Sequence, residues 1–235
     1  MVAGPPRGDV VVPTPVALVA SGRDVRAVWE NERGGLTFEV GRGVERVFVK
    51  WSPAGSMIHL GREAERLAWA RPFTVVPKVI DQGADDAGSW LVTEALSGES
   101  AVSERWQADP AVAVTAIGQG LRHLHDALPV DECPYSWSIE DRGGSRDAPP
   151  IDRLVVCHGD PCAPNTLVGD DGTCSGHVDL GALGVADRWA DLAVATWSTE
   201  WNYGPGWEEL LLDAYGVAFD PLRTEYYRDL WEFGA

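Results

Sequence analysis

The sequence predicts an α+β protein of two lobes, an antiparallel β-sheet followed by a mainly helical half, and three observations carry that prediction. Residues 25–50 hold three short strand-like runs broken by Gly- and Asn-containing turn signals. From Asp109-Pro110 onward, apolar residues recur at helical spacing instead. Within that second half, the stretch CHGDPCAPNTLV…HVDLG sets polar residues between short strands.

Taken in order, residues 1–24 are rich in Gly, Pro and Val and predict an irregular lead-in with one short strand. Runs at Val25–Trp29, Leu36–Val40 and Val44–Lys50 predict an antiparallel meander, turning at Asn31–Gly35 and Gly41–Gly43. Residues 57–71 predict a helix whose apolar stripe is Leu60, Ala64, Leu67 and Ala68. Strands follow at Val75–Ile80 and Trp90–Ala95, separated by the turn-rich Gly83–Gly88. Asp109-Pro110 is a helix start, with the aspartate as cap and proline in the first turn. Val114, Ile117, Leu121, Leu124 and Leu128 continue the apolar face. Short strands are expected at Leu154–Cys157, Thr166–Val168 and His177–Leu180, then helices near 187–203, 206–215 and 221–232. The Gly/Pro-rich stretch 141–150 is expected to be a loop or linker. The change of character near Glu94–Gly98 divides the chain into lobes at 1–96 and 97–235, with a cleft expected between them.

Composition narrows the function. A formal charge of −17 argues against a nucleic-acid partner, whose phosphates attract Lys and Arg. It suits a cationic small molecule, although acidic surfaces also serve solubility alone. No apolar run is long enough to span a bilayer and no signal segment leads the chain, so a cytoplasmic location is expected. The four cysteines form no C-x-x-C pair and are expected as reduced thiols.

The chemistry concentrates in His158-Gly-Asp160, Asn165 and Asp179-Leu-Gly181. An aspartate near the attacking hydroxyl, an asparagine five residues on and the aspartate of a D-x-G tripeptide form the pattern of phosphoryl transfer from a nucleotide. Asp160 is then the reactive carboxylate, while Asn165 and Asp179 offer oxygen ligands suited to Mg²⁺. Gly159 stands where protein kinases place an arginine that holds a phosphorylated loop, which points to a small-molecule kinase. His158 is expected to brace its loop, and Asp191 to cap or brace it. In the strand Val47–Lys50, Phe48 and Lys50 share a face. Lys50 can hold the nucleotide's phosphates while Phe48 covers its base, and Glu63 on the following helix is the lysine's natural partner. Glu65 is expected to be solvated. Cys157, His158, Cys162, Cys174 and His177 match the spacing of no common zinc finger or ribbon.

These residues resemble the aminoglycoside phosphotransferase family, most closely its 3′-phosphotransferase branch. The resemblance runs from about Val25 to Phe233 through FVK50, EAERLAW69, LVTEA95, LRHLHDALP129, HGDPCAPN165, VDLG181, ADRWADLA193 and YYRDLWEF233. It implies a protein-kinase-like fold binding ATP, or GTP, between the lobes, with the nucleotide covered by the first lobe. The backbone around Thr93, Glu94 and Ala95 would bind the adenine. Lys50 would hold the α/β-phosphates, Asp160 would be catalytic, and Asn165 with Asp179 would hold the metal ions. The acceptor would be a polycationic aminoglycoside, met near the C-terminus by Glu232, and the protein would be a monomer or weak dimer. Departures fall mainly on the acceptor side, and keep open a kinase of another amine-bearing sugar or metabolite, or a nucleotide-binding member of the family with an impaired acceptor site. The family usually carries further helices where this chain has only Gly143–Pro150. Ala182 replaces a common basic residue, Trp231 replaces an aspartate, and Gly234-Ala235 displaces the terminal aromatic carboxylate.

Overall fold

The computed structural model describes residues 4–144 and 148–233. The first three residues of the expected lead-in, residues 145–147 of the expected 141–150 loop, and Gly234-Ala235 lie outside the described residues. The chain divides into two compact units, Met1–Arg71 with Pro77–Ala95, and Pro72–Val76 with Leu96–Ala235. Among the described residues, no helix is long and apolar enough to cross a membrane.

The first unit comprises α1 (Thr14–Ala20), β1 (Val25–Glu30), β2 (Leu36–Val40), β3 (Val47–Pro53), α2 (Leu60–Ala70), β4 (Val79–Ala84) and β5 (Gly88–Glu94). Its strands form one antiparallel sheet in the order β1-β2-β3-β5-β4. Phe38 pairs with Val49 and Val49 with Val92, so these side chains share one face and build the core with Val40. Val16 and Ala20 of α1 complete that core. The helix corrects the expectation of an irregular lead-in. Two turns flanked by prolines read as broken chain, yet Pro15 stands in the first turn, where its missing N–H costs nothing. Val16 and Ala20, four residues apart, both turn inward.

The last two strands of the sheet also lie differently from expectation. Gly83 is a strand residue rather than the start of the turn, because the Trp90 ring lies across it: a Cβ there would sit 2.3 Å from the indole. The turn falls at Asp85, whose Oδ1 accepts the amides of Ala87 at 2.8 Å and Gly88 at 3.1 Å. On α2 the buried stripe is Leu60, Glu63, Ala64, Leu67 and Ala70, with Ala68 turned outward.

The second unit comprises β6 (Glu99–Ser100), α3 (Glu104–Gln107), α4 (Pro110–Ala127), β7 (Leu154–Cys157), β8 (Thr166–Val168), β9 (Cys174–His177), β10 (Gly184–Asp187), α5 (Trp189–Tyr203), α6 (Glu208–Tyr215) and α7 (Pro221–Phe233). Val114, Ile117, Leu121, Leu124 and Leu128 are all buried, as the periodicity predicts. Pro110 opens α4, but the Asp109 carboxylate makes no capping hydrogen bond. Gly118 lets α6 approach closely, since a Cβ there would lie 2.5 Å from the Leu211 carbonyl oxygen. The small sheets β6-β8-β9 and β10-β7 frame the polar motif. The strand expected at His177–Leu180 ends at His177 instead. Asp179 takes a left-handed backbone conformation, φ 64°, which no strand can continue.

Candidate active site

In the first unit, β3 and α2 bring Lys50 and Glu63 together. The Lys50 Nζ donates to both carboxylate oxygens, at 2.7 and 2.9 Å. Glu63 is buried on the α2 stripe, where a carboxylate requires a cation. Phe48 lies on the Lys50 side of β3 and carries the Arg46 guanidinium 5.5 Å from its ring centre. Glu65 is exposed. Thr93 is buried opposite Phe48 in the sheet. The Glu94 amide donates to Lys78 O at 2.9 Å and the Ala95 amide to Arg46 O at 3.3 Å. These two amides are therefore engaged within the first unit. The Glu94 carboxylate pairs with Lys78 at 3.1 Å on the surface.

In the second unit, the loop from His158 to Asn165 is fastened by buried side chains. The Asp191 carboxylate, wholly buried near the start of α5, accepts the backbone N–H of His158 at 2.6 Å and of Gly159 at 2.9 Å. It also accepts His125 Nε2 at 2.9 Å, and His125 Nδ1 meets the Tyr215 hydroxyl at 2.9 Å. Burial alone would raise the Asp191 carboxyl. The bond and charge of His125 and the Gly159 amide outweigh it and hold Asp191 below the usual carboxylate range. Further along, Ser198 Oγ accepts the Ala163 amide at 2.9 Å, and Trp137 Nε1 donates to the Gly159 carbonyl at 3.2 Å.

His158 is fixed as a brace. Its Nε2 faces the Val178 carbonyl at 3.0 Å and must donate, which leaves Nδ1 to accept the Asp160 amide at 3.3 Å. The ring thereby ties the Asp160 turn to the segment that carries Asp179. Gly159 has a steric reason to be glycine beyond the absence of an arginine. Its φ is 84°, and a Cβ would lie 2.1 Å from the Ala182 carbonyl oxygen.

Asn165 lies at the end of a short 3₁₀ turn and donates Nδ2 to the Asp160 carbonyl at 2.9 Å. That bond uses the amide nitrogen and leaves the Oδ1, an oxygen of the kind hard cations bind. The Asn165 carbonyl also accepts the Val178 amide at 3.0 Å, so Asp160, Asn165 and the residue before Asp179 are joined by backbone and amide bonds. The positive φ of Asp179 is a local strain of the kind that collects at functional sites. Glu232 is exposed on α7 and lines a cavity of about 350 Å³ with Trp197, Glu225, Arg228 and Asp229.

Burial drives Cys157 and Cys162 well above the usual thiol range and Cys174 to about 11, so all three remain protonated. Among the described residues, the group compact enough to surround an ion is His125, Cys157 and Asp191. Its His125 and Asp191 already bond each other, Tyr215 and the loop amides, and Cys157 Sγ donates to the Asp187 carbonyl at 3.4 Å. Trp137, Ser198 and His125 escape the sequence reading. Only His125 leaves a trace there, as a polar residue beside Leu121, Leu124 and Leu128 on the buried face of α4.

A five-stranded sheet with a strand lysine clamped by a helix glutamate, and a helical unit with a braced Asp-Asn loop, define the protein-kinase-like fold in its small-molecule form. The chain belongs to the phosphotransferase enzyme family, whose model matches residues 24–148 and 145–227. It is similar to the aminoglycoside 3′-phosphotransferase of Streptomyces fradiae, 34% identical over 253 residues that cover 88% of this chain and 94% of that protein. Among solved structures it resembles an aminoglycoside-3′-phosphotransferase of type VIII, at 29% identity and TM-score 0.70, covering 90% of this chain and 94% of that one. It also resembles the aminoglycoside phosphotransferase APH(3″)-Id of Streptomyces rimosus in complex with ADP and streptomycin, at 25% identity and TM-score 0.68, covering 91% and 94%. An alignment of 253 positions that draws on 88% of a 235-residue chain leaves several tens of positions filled by the Streptomyces fradiae protein alone. The two stretches matched to the family meet at 145–148, where this chain has only its short link.

Proposed function

We propose that this protein transfers the γ-phosphoryl group of ATP to the 3′-hydroxyl of an aminoglycoside, and so confers resistance to it. The observation that carries the reading is the Lys50–Glu63 pair, with a buried glutamate aiming the ammonium group as a nucleotide's phosphates require. Lys50 binds the α/β-phosphates, Phe48 covers the base, and Thr93, Glu94 and Ala95 border it. Asn165 Oδ1 and the Asp179 carboxylate are the oxygens that would hold Mg²⁺, which neutralises phosphate charge when bound. Asp160 orients the acceptor hydroxyl and accepts its proton. As the acceptor oxygen bonds to the γ-phosphorus, the bond to the β–γ bridging oxygen breaks and ADP leaves with that electron pair. The proton passes from Asp160 to solvent. GTP is the other purine nucleotide to test. The similarity to aminoglycoside phosphotransferases and the charge of −17 support a cationic acceptor, with Glu232 as one contact. A cytoplasmic monomer or weak dimer, with no nucleic-acid partner, fits this role.

The short link at 143–150 favours a second reading, transfer to another amine-bearing sugar or metabolite. Purified protein with Mg-ATP or Mg-GTP, kanamycin, a 3′-deoxy aminoglycoside and a panel of amino sugars separates the two. Kanamycin turnover that fails with the 3′-deoxy compound and falls by roughly 10³-fold in Asp160→Ala is the expected result. Turnover of amino sugars alone would transfer the assignment to the second reading.

A further inference from the structure

The short link carries an arginine to the reactive loop. Residues 138–144 close on themselves through tight turns: the Arg142 amide donates to Ser138 O at 3.2 Å and the Gly144 amide to Ile139 O at 2.7 Å. The compact turn rests on Trp137, which is buried, tied to β10 through Val185 O at 3.1 Å, and bonded to the Gly159 carbonyl. The Arg142 guanidinium lies over the Trp137 ring, 4.6 Å from its centre. The same indole thus carries a cation on its face and grips the residue before Asp160 with its N–H.

The Arg142 Nε is buried and has no acceptor among the described residues. Burial presses the guanidinium below its ordinary value, and the charge of Asp160 opposes that. A half-buried arginine with a donor to spare is costly as a structural element. Held over Trp137, whose N–H grips the Gly159 carbonyl, it is a fixed positive charge close to the turn that carries Asp160.

We propose that Arg142 is a positioning residue for this reaction, a guanidinium held on Trp137 that keeps the Asp160 carboxylate aligned on the acceptor hydroxyl. The inference rests on the reading of Asp160 as the reactive carboxylate.

The test compares wild type, Arg142→Met, Arg142→Lys, Asp160→Ala and the double variant Arg142→Met/Asp160→Ala, on kanamycin phosphorylation and on acceptor-independent ATP hydrolysis. Arg142→Met should lower kcat by roughly 10-fold or more while KM for ATP stays within about 2-fold. Arg142→Lys should lie between it and wild type, and added guanidinium ion, at concentrations too low to unfold the protein, should restore part of the Arg142→Met rate. In the Asp160→Ala background the same change should cost less than about 2-fold, because Arg142 acts through that carboxylate. Equal losses in both backgrounds, or an Arg142→Met rate within 2-fold of wild type, overturn the proposal. If Arg142→Met does not fold, Arg142→Lys decides by the same cycle. A protein that turns over no aminoglycoside counts against the functional reading alone, since ATP hydrolysis then reads Arg142. Hydrolysis and transfer both indifferent to Asp160→Ala would remove the reading and the inference together.

Discussion

The two sets of residues proposed for catalysis are held by different means. In the sheet unit, one side chain meets another: Lys50 from β3 donates to Glu63 from α2, and the lysine side chain remains 23% exposed. In the helical unit, side chains meet backbone. Asp191, Ser198 and Trp137 each take a main-chain group of the loop from Cys157 to Asn165, and Asp191 is wholly buried. A side-chain pair can be loosened without unfolding its supports. A loop whose amides end on one buried carboxylate cannot, because those amides have no water to turn to. The contrast predicts that the first apparatus fails in function and the second fails in fold.

The largest effect should follow from Asp191→Ala. It strands the His158 and Gly159 amides and the His125 Nε2 at once, in a fully buried site. Removing one partner from a buried charged network costs about 3–5 kcal/mol. Denaturant unfolding should show that loss, with activity falling alongside. A fully stable Asp191→Ala protein would break the contrast.

Acid supplies a smaller test of the same unit. His177 is buried beside His158, with ring centres 5.8 Å apart, and burial first, then that neighbour, lower it to about 3. Unfolded, it takes up a proton near the ordinary 6.5. Between those values the unfolded chain binds the extra proton, so stability falls as the pH drops from about 6.5 toward 3, by on the order of a few kcal/mol. Asp191, held low, adds its own loss as pH falls below the ordinary carboxylate range. His177→Gln should flatten the upper part of that slope in unfolding experiments between pH 7 and 4. An unchanged slope would assign it to other groups.

The same contrast explains what was legible in the sequence. Lys50 and Glu63 were readable because each is set by a local period: alternation places Lys50 opposite the Val49 face, and helical spacing puts Glu63 on the stripe with Leu60 and Leu67. The strands Leu154–Cys157 and Thr166–Val168 were readable for the same reason. What braces the loop was not. His125 meets Tyr215 across 90 residues and Asp191 across 66, and no local pattern encodes such pairings. The helix α1 was lost because its prolines signal a break, and only the sheet face it covers makes two turns worth forming. The strand that the apolar neighbours of Asp179 promise stops short of it, because its left-handed backbone conformation cannot continue a ladder.

The smallest effect on stability, and the sharpest test of the contrast, belongs to Lys50→Met. Glu63 then keeps its place on α2 without the ammonium group, but solvent reaches the lysine's side of the pair, and the carboxyl can take up a proton to shed its charge. The cost should stay under about 2 kcal/mol, well below that of Asp191→Ala. On the proposed role of Lys50, turnover should nevertheless fall by roughly 10²-fold or more, since the phosphates would lose the cation that aligns them. Glu63→Gln should keep most of the stability and raise KM for ATP, since a neutral amide can still accept from Lys50 but no longer fixes it through two charged oxygens. Thermal unfolding and ATP kinetics on the three proteins decide the matter. If Lys50→Met unfolds as readily as Asp191→Ala, the pair is a structural clamp and its place in nucleotide binding must be argued afresh.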